Sequence, residues 1–215
     1  MKYTTIIFDL DGTLLNTLAD LAAATNYALA EHKLPQRTTD EVRLFVGNGI
    51  RKLIERAVPA DTPAELQEEV FSSFNKYYKQ HCADSTRPYD GVPQLLQQLR
   101  AAGCRTAIVS NKADYGVQAL AKQYFDGQLD AACGERAGIA KKPAPDMLLA
   151  IMQQLKAEPA STIYIGDSDT DIATASNAGV DCIGACWGFR GRVFLEAHGA
   201  KLLAENVGDI WELIK

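Results

Sequence analysis

Histidine, cysteine and net positive charge are all scarce in this sequence. The three histidines, His32, His81 and His198, show no metal-ligand spacing. The five cysteines, Cys82, Cys104, Cys133, Cys182 and Cys186, are odd in number and scattered, with no CxxC pair. That excludes a disulfide framework and points to core thiols in a reducing compartment. Cys182 and Cys186 share a strand-like segment with no histidine near it, so no zinc site is expected. Lys plus Arg number 22 against 27 Asp plus Glu, a net charge of −5. Without a basic cluster the chain is a poor partner for nucleic acid or an anionic membrane. No apolar run approaches the roughly 20 residues of a membrane span. Met1-Lys2-Tyr3 leads straight into a strand pattern, so no signal peptide is expected and the location read from the sequence is cytoplasmic. Internal repeats and low-complexity segments are also missing.

What remains is an ordinary globular composition. The chain has 215 residues, 47% hydrophobic and 23% charged, enough for one domain or a domain with a small insertion. Its organising stretch is residues 4–17. The run Thr4-Thr5-Ile6-Ile7-Phe8 reads as a strand buried on both faces, as in a parallel sheet. It ends in Asp9-Leu10-Asp11-Gly12-Thr13. Side chains two apart on an extended chain point the same way, so Asp9 and Asp11 would arrive together at the strand's C-terminal end. Open α/β sheets bind their ligands there. Paired carboxylates at that point suit a hard cation, or a division into nucleophile and acid/base.

Residues 16–82 contain no strand pattern. Helical spacing covers Leu14 to His32. A second helix starts at Thr39-Asp40-Glu41, with Thr38 or Thr39 as its cap. Ile50 to Ala57 and Ala64 to Gln80 follow, with Gly47-Asn48-Gly49 as an interruption. From residue 87 onward strands alternate with helices. Strand patterns lie at 105–109, 129–133, 161–165, 180–185 and 201–204. Alternation of this kind implies right-handed βαβ units. The expected fold is α/β, a Rossmann-like parallel-sheet core of residues 1–15 plus 83–215, with residues 16–82 inserted as an all-helical cap.

Three strong strands end in polar residues: Asp9 and Asp11, then Ser110-Asn111-Lys112, then Gly166-Asp167-Ser168 with Asp171. Lys142 precedes a proline at a helix start. Together these suggest a site for a phosphate ester and a divalent metal, because phosphoryl transfer needs positioning and charge stabilisation above all. Asp9 would attack phosphorus, and Asp11 would protonate the leaving oxygen and then take a proton from water. Ser110, Asn111 and Lys142 would bind the phosphate. Asp9, Asp11, Asp167 and Asp171 would hold Mg2+, with Asp171 either a ligand, a support for its waters or an anchor for Lys142. Lys141 is a rival for Lys142. Arg51 is either a substrate-carboxylate contact or a solvated arginine. Trp187-Gly188-Phe189-Arg190-Gly191 is either a rim of the site or a packed loop.

Asp9-Leu10-Asp11-Gly12-Thr13, Ser110-Asn111, Lys142-Pro143 and Gly166-Asp167-Ser168 with Asp171, in this order, resemble the four motifs of the haloacid dehalogenase superfamily, on its phosphatase side. The likeness runs over the whole chain, cap included. It is nearest to the phosphoglycolate phosphatases, through Asn16-Thr17, Val46-Gly47-Asn48-Gly49 and Ser110-Asn111-Lys112. The resemblance implies Asp9 as nucleophile, Asp11 as acid/base, and magnesium held by the Asp9 carboxylate, the Asp11 carbonyl and Asp167. It implies a small phosphorylated metabolite as substrate, 2-phosphoglycolate first, and a cap that closes over the site. Asn16 stands where the family often has Asp. A phosphosugar mutase, or a phosphatase for nucleotides, sugar phosphates or pyrophosphate, is the alternative on the same scaffold. A mutase is disfavoured by the absence of the histidine typical after the first motif, and a dehalogenase by Asp11. Either a monomer or a homodimer is compatible with the apolar cap faces.

Overall fold

The computed structural model describes residues 1–215. They form two compact units, Met1–Leu15 with Pro88–Lys215, and Asn16–Arg87. In chain order the elements begin with strand β1 (Thr5–Phe8) and the two-residue β2 (Leu15–Asn16). Four helices follow: α1 (Leu18–Glu31), α2 (Thr39–Phe45), α3 (Ile50–Ala57) and α4 (Ala64–His81). Next come β3 (Arg87–Pro88), α5 (Val92–Ala101), β4 (Arg105–Ala113), α6 (Asp114–Phe125) and β5 (Ala131–Glu135). The chain continues through α7 (Asp146–Gln154), β6 (Thr162–Gly166), α8 (Asp169–Ala178) and β7 (Asp181–Ala185). It closes with α9 (Arg192–Ala197), β8 (Leu202–Ala204) and α10 (Asp209–Leu213).

The first unit is a six-stranded sheet in the order β5-β4-β1-β6-β7-β8, every pairing parallel. All four residues of β1 are buried, as the unbroken apolar run requires of a central strand. One face is packed by Met147, Leu148, Ile151 and Met152 of α7 and by Ala175 of α8, against Ile7, Val109 and Tyr164. Successive strand residues alternate, so Ile6, Phe8, Ile108 and Ile165, all fully buried, fill the other face. The chain runs from β1 to one side of the sheet (β4, β5) and then crosses to the other (β6, β7, β8). The switch beside β1 leaves a crevice at the C-terminal strand ends.

The second unit is all-helical apart from its two ends, where β2 and β3 pair. Thr38 forms a full capping box with Glu41 at the start of α2, satisfying two otherwise orphaned amides. Leu53, Ile54 and Ala57 are the buried face of α3. Asp20 on α1 is buried and accepts hydrogen bonds from Ser85 N, from Thr86 N at 2.8 Å and from Thr86 Oγ1 at 2.7 Å. It thereby fastens the last residues of the unit to its first helix.

Strand β5 lies two residues later than expected, the compact helical unit runs on to Arg87 rather than ending at 82, and three further boundaries differ for reasons visible in the structure. Helix α1 starts at Leu18, not Leu14, because the amides of Leu14 and Leu15 turn back to the Leu10 carbonyl. Helix α7 starts at Asp146, since the two prolines at 143 and 145 hold residues 141–145 in a turn. Strand β4 continues to Ala113, well past Val109. Its pairing with β5 shifts register between Val109 and Ala113, the mark of a bulge. Gly134 of β5 makes this possible: a Cβ there would lie 2.6 Å from the Lys112 carbonyl oxygen.

Candidate active site

The register of the sheet brings the motifs together. Phe8 pairs with Ile108 on one side and Ile165 on the other. Asp9 therefore stands level with the strand ends from which Ser110 and Asp167 follow, and its amide donates to the Ile165 carbonyl at 2.8 Å. The chain then turns sharply at Gly12 (φ +87°). A Cβ there would approach Asp167 Oδ2 to 2.4 Å, so both the conformation and the space demand glycine.

Lys142 is the hub. Its ammonium lies 2.9 Å from Asp9 Oδ1 and 2.7 Å from Asp171 Oδ1, and donates to Tyr164 Oη at 3.0 Å. Asn111 Nδ2 donates to the Lys142 carbonyl at 3.0 Å, which pins the backbone beneath that ammonium. Lys141 points away to the half-exposed Glu135, 3.4 Å off. Asp171 is fully buried with both oxygens engaged. Oδ1 accepts from Lys142 and lies 3.2 Å from Tyr164 Oη, whose one proton has its shorter contact with the Val109 carbonyl at 2.8 Å, and Oδ2 accepts from Ser168 N at 3.0 Å and Ser168 Oγ at 2.6 Å. Gly166 leaves room for it, since a Cβ there would meet Asp171 Cγ at 2.2 Å.

Asp167 is held from the opposite side. The Phe189 amide donates to its Oδ2 at 2.6 Å, and a Cβ on Gly188 would fall 2.2 Å from its own Cβ. Trp187 Nε1 donates to the Thr13 carbonyl at 3.0 Å. The 187–189 segment is thus a wall of the site and ties it to the turn after β1. Asp11 is contacted by Lys112, whose Nζ lies 3.1 Å from Oδ1 and 3.3 Å from Oδ2. Ser110 is buried, and its Oγ accepts from Lys112 N at 3.3 Å.

Burial dominates the electrostatics. It pushes Asp9 up to about 6; Lys142 opposes that, while Asp171 and Asp11 add to it. Burial, with Asp171 and Asp9 beside it, also drives Asp167 well above the usual carboxylate range. For Lys142 burial alone would lower the pKa, but the Asp171 and Asp9 carboxylates outweigh it and raise it. Burial and then the charges of Asp167 and Asp11 raise the Tyr89 phenol, so Tyr89 also borders the cluster.

Carboxylate oxygens of Asp9, Asp167 and Asp171 lie within 4.8 Å of one another. Asp9 Oδ1 is buried and, although 2.9 Å from the Lys142 ammonium, accepts no properly directed hydrogen bond. Four carboxylates face two ammonium groups, so the ionised cluster carries an excess of two negative charges. An all-oxygen donor set with that charge, one member poorly satisfied, fits a hard divalent cation. The fit is best at Asp9 and Asp167, because Asp171 is already spent on Lys142, Tyr164 and Ser168.

From the sequence, Lys112 and the 187–191 loop stand out, but with no role for Lys112 and no sign of the Phe189 amide, and Tyr164 and Tyr89 do not stand out as site residues. Lys112 could have been read from its place two residues past Ser110, on the same side of an extended chain. Tyr164 was hidden in an apolar strand, where a tyrosine looks like core. In the helical unit, Arg51 pairs with Glu68, 2.5 Å away, and lies 4.1 Å from the centre of the Phe71 ring.

A doubly wound parallel sheet with this aspartate–lysine cluster at its switch point defines a hydrolase of the phosphatase type. The chain belongs to the haloacid dehalogenase-like hydrolase family, whose model matches residues 6–185. Among its relatives, a phosphoglycolate phosphatase of Aquifex aeolicus is 33% identical over 86% of this chain and 85% of its own. One of Pseudomonas putida is also 33% identical, over 94% of this chain and 76% of its own. An N-acetylmuramic acid 6-phosphate phosphatase of Pseudomonas aeruginosa is 29% identical over 100% of this chain and 96% of its own. The crystal structure of a candidate phosphoglycolate phosphatase from Lactobacillus delbrueckii subsp. bulgaricus superposes with a TM-score of 0.95 at 35% identity, covering 100% of this chain and 99% of that one. No helix is long and apolar enough to cross a membrane.

Proposed function

We propose that this phosphatase is a magnesium-dependent phosphomonoesterase that hydrolyses 2-phosphoglycolate through an aspartyl-phosphate on Asp9. The observation that carries the mechanism is the position of Asp9. It is the one carboxylate that ends the central strand, touches the Lys142 ammonium and still has a poorly satisfied oxygen. Asp9, the Asp11 backbone carbonyl and Asp167 would hold the cation. When bound, it supplies charge neutralisation between an anionic nucleophile and an anionic phosphate. Lys142 keeps Asp9 ionised beside the incoming phosphate, and Asp171 and Tyr164 hold that lysine in place. Ser110 and Asn111, at the end of β4, are proposed to border the phosphate oxygens. Asp9 forms the bond to phosphorus as the ester oxygen leaves, and Asp11 gives that oxygen a proton. Asp11 then takes a proton from the water that attacks the aspartyl-phosphate, freeing inorganic phosphate and restoring Asp9.

The relatives named phosphoglycolate phosphatase support the substrate. The full-length likeness to an N-acetylmuramic acid 6-phosphate phosphatase keeps a sugar phosphate as the second reading. Phosphate release with and without Mg2+, measured on both esters, separates them. The expected result is a kcat/KM at least tenfold higher for phosphoglycolate, and the reverse order would overturn the substrate. Asp9→Asn is expected to lose about 10⁴-fold or more in kcat while remaining folded, as for other nucleophile deletions.

A further inference from the structure

None of the steps above uses Lys112, yet its charge is almost wholly enclosed, with a side chain only 2% exposed. Its ammonium straddles the two Asp11 oxygens, at 3.1 and 3.3 Å. An ammonium shared between both oxygens holds the carboxyl pointing toward it, whereas a contact to one oxygen leaves the group able to swing aside. Three local features keep the lysine there. The bulge at the end of β4 re-aims residues 110–113, and Gly134 admits the Lys112 carbonyl at a distance no side chain would allow. The Lys112 amide donates to Ser110 Oγ. Helix α6 carries glycine at position 116, where a Cβ would press to 3.3 Å from Lys112 Cε and 3.6 Å from its Cδ. Alanine is favoured over glycine in a helix by about 1 kcal/mol, so the helix forgoes that advantage along the stem of this lysine.

We propose that Lys112 is a positioning residue that holds the Asp11 carboxyl in the single orientation its two proton transfers share. This rests on the reading of Asp11 as acid/base. A carboxyl that first protonates the leaving oxygen and later deprotonates water must present itself to both within hydrogen-bond reach. Two torsions separate it from the backbone, and Lys112 restrains the first, which sets where the carboxyl points.

A double-mutant cycle tests this with p-nitrophenyl phosphate. Its phenolate leaves unassisted, so turnover reports the half of the reaction in which Asp11 takes a proton from water. Lys112→Met, Asp11→Asn and the double variant are compared for kcat and KM, with melting curves on the same samples. Lys112→Met is expected to lower kcat about 10- to 100-fold with KM changed less than about threefold, and to add less than about twofold in the Asp11→Asn background. Losses that multiply in the double variant would overturn the proposal, as would a raised KM with unchanged kcat. Should Lys112→Met fail to fold, Gly116→Ala displaces the same stem while leaving every charge in place. It is then expected to lower kcat in the wild-type but not the Asp11→Asn background, and equal losses in both would overturn the proposal. If Asp11→Asn itself turns over like the wild type, it is the acid/base reading that fails, a separate outcome.

Discussion

The two units differ in how much charge they bury. The α/β unit has exposed ion pairs such as Lys2–Asp181 and Arg192–Glu196, but it also has an interior set: Lys142 lies 2.9 Å from Asp9 and 2.7 Å from Asp171, Lys112 lies 3.1 Å from Asp11, and Asp167 is buried close to Asp9 and Asp171. In the helical unit the ionic groups are exterior, as in Arg51–Glu68 and Lys52–Glu55, with Asp20 the buried exception. Exposed ion pairs contribute little, because solvent screens them and ordering long side chains offsets the attraction. Buried charges cannot be idle in this sense. Removing one partner strands the other without water. The α/β unit therefore maintains a buried excess of carboxylates, raised toward their protonated forms, that no folding requirement explains, and function does explain it. The helical unit can change its surface charges with little consequence for its fold.

The contrast can be broken by substitution. The largest effect on stability is expected from Lys142→Met, which leaves Asp9 and Asp171 uncompensated. Denaturant unfolding should show a loss of about 3–5 kcal/mol, and a loss under 1 kcal/mol would mean the cluster is far better hydrated than its burial implies. Asp20→Ala comes next. It strands the amides of Ser85 and Thr86, and a loss of about 1–3 kcal/mol is expected. A loss matching Lys142→Met would erase the distinction between a network and a single fastening.

A smaller effect follows from pH. Asp9 takes up its proton at about 6 in the folded metal-free protein, above its unfolded value. Its protonation therefore adds stability that is fully present below the unfolded pKa and is lost as pH rises through about 6. Cation binding needs the ionised form and runs the other way. Asp167, held higher still, must shed its proton too, so calorimetric titration of the wild type with Mg2+ should show affinity already falling as pH drops toward 6 and falling more steeply below it, and a slope that does not steepen between pH 6 and 5 would remove Asp9 from the ligand set. The smallest effect is expected for Arg51→Ala, with no measurable change in melting temperature. A clear drop would show that the helical unit relies on its surface charges after all.

Much of this was legible beforehand, for physical reasons that differ by element. β1 and β6 declared themselves because a strand covered on both faces is mostly apolar and free of charge, so the aspartates at 9 and 167 marked their ends. Helix α3 followed from its spacing and α2 from its capping box. The end of β4 was not legible. Ser110, Asn111 and Lys112 look like the polar close of a strand, and only the bulge against Gly134 shows that the strand continues and turns Lys112 inward. The buried hydroxyl of Tyr164 was hidden likewise, as was the grip of the Phe189 amide on Asp167, which no side-chain pattern can carry because the donor is backbone.

Chemical trapping tests the central role of Asp9 most directly. The enzyme, turning over phosphoglycolate with Mg2+, is quenched in acid and reduced with borohydride, which converts an acyl phosphate to an alcohol. Peptide mass analysis is expected to find homoserine at position 9 and unmodified aspartate at positions 11, 167 and 171. Reduction at one of those three instead, or phosphate release with no acyl phosphate in the quenched enzyme, would contradict it.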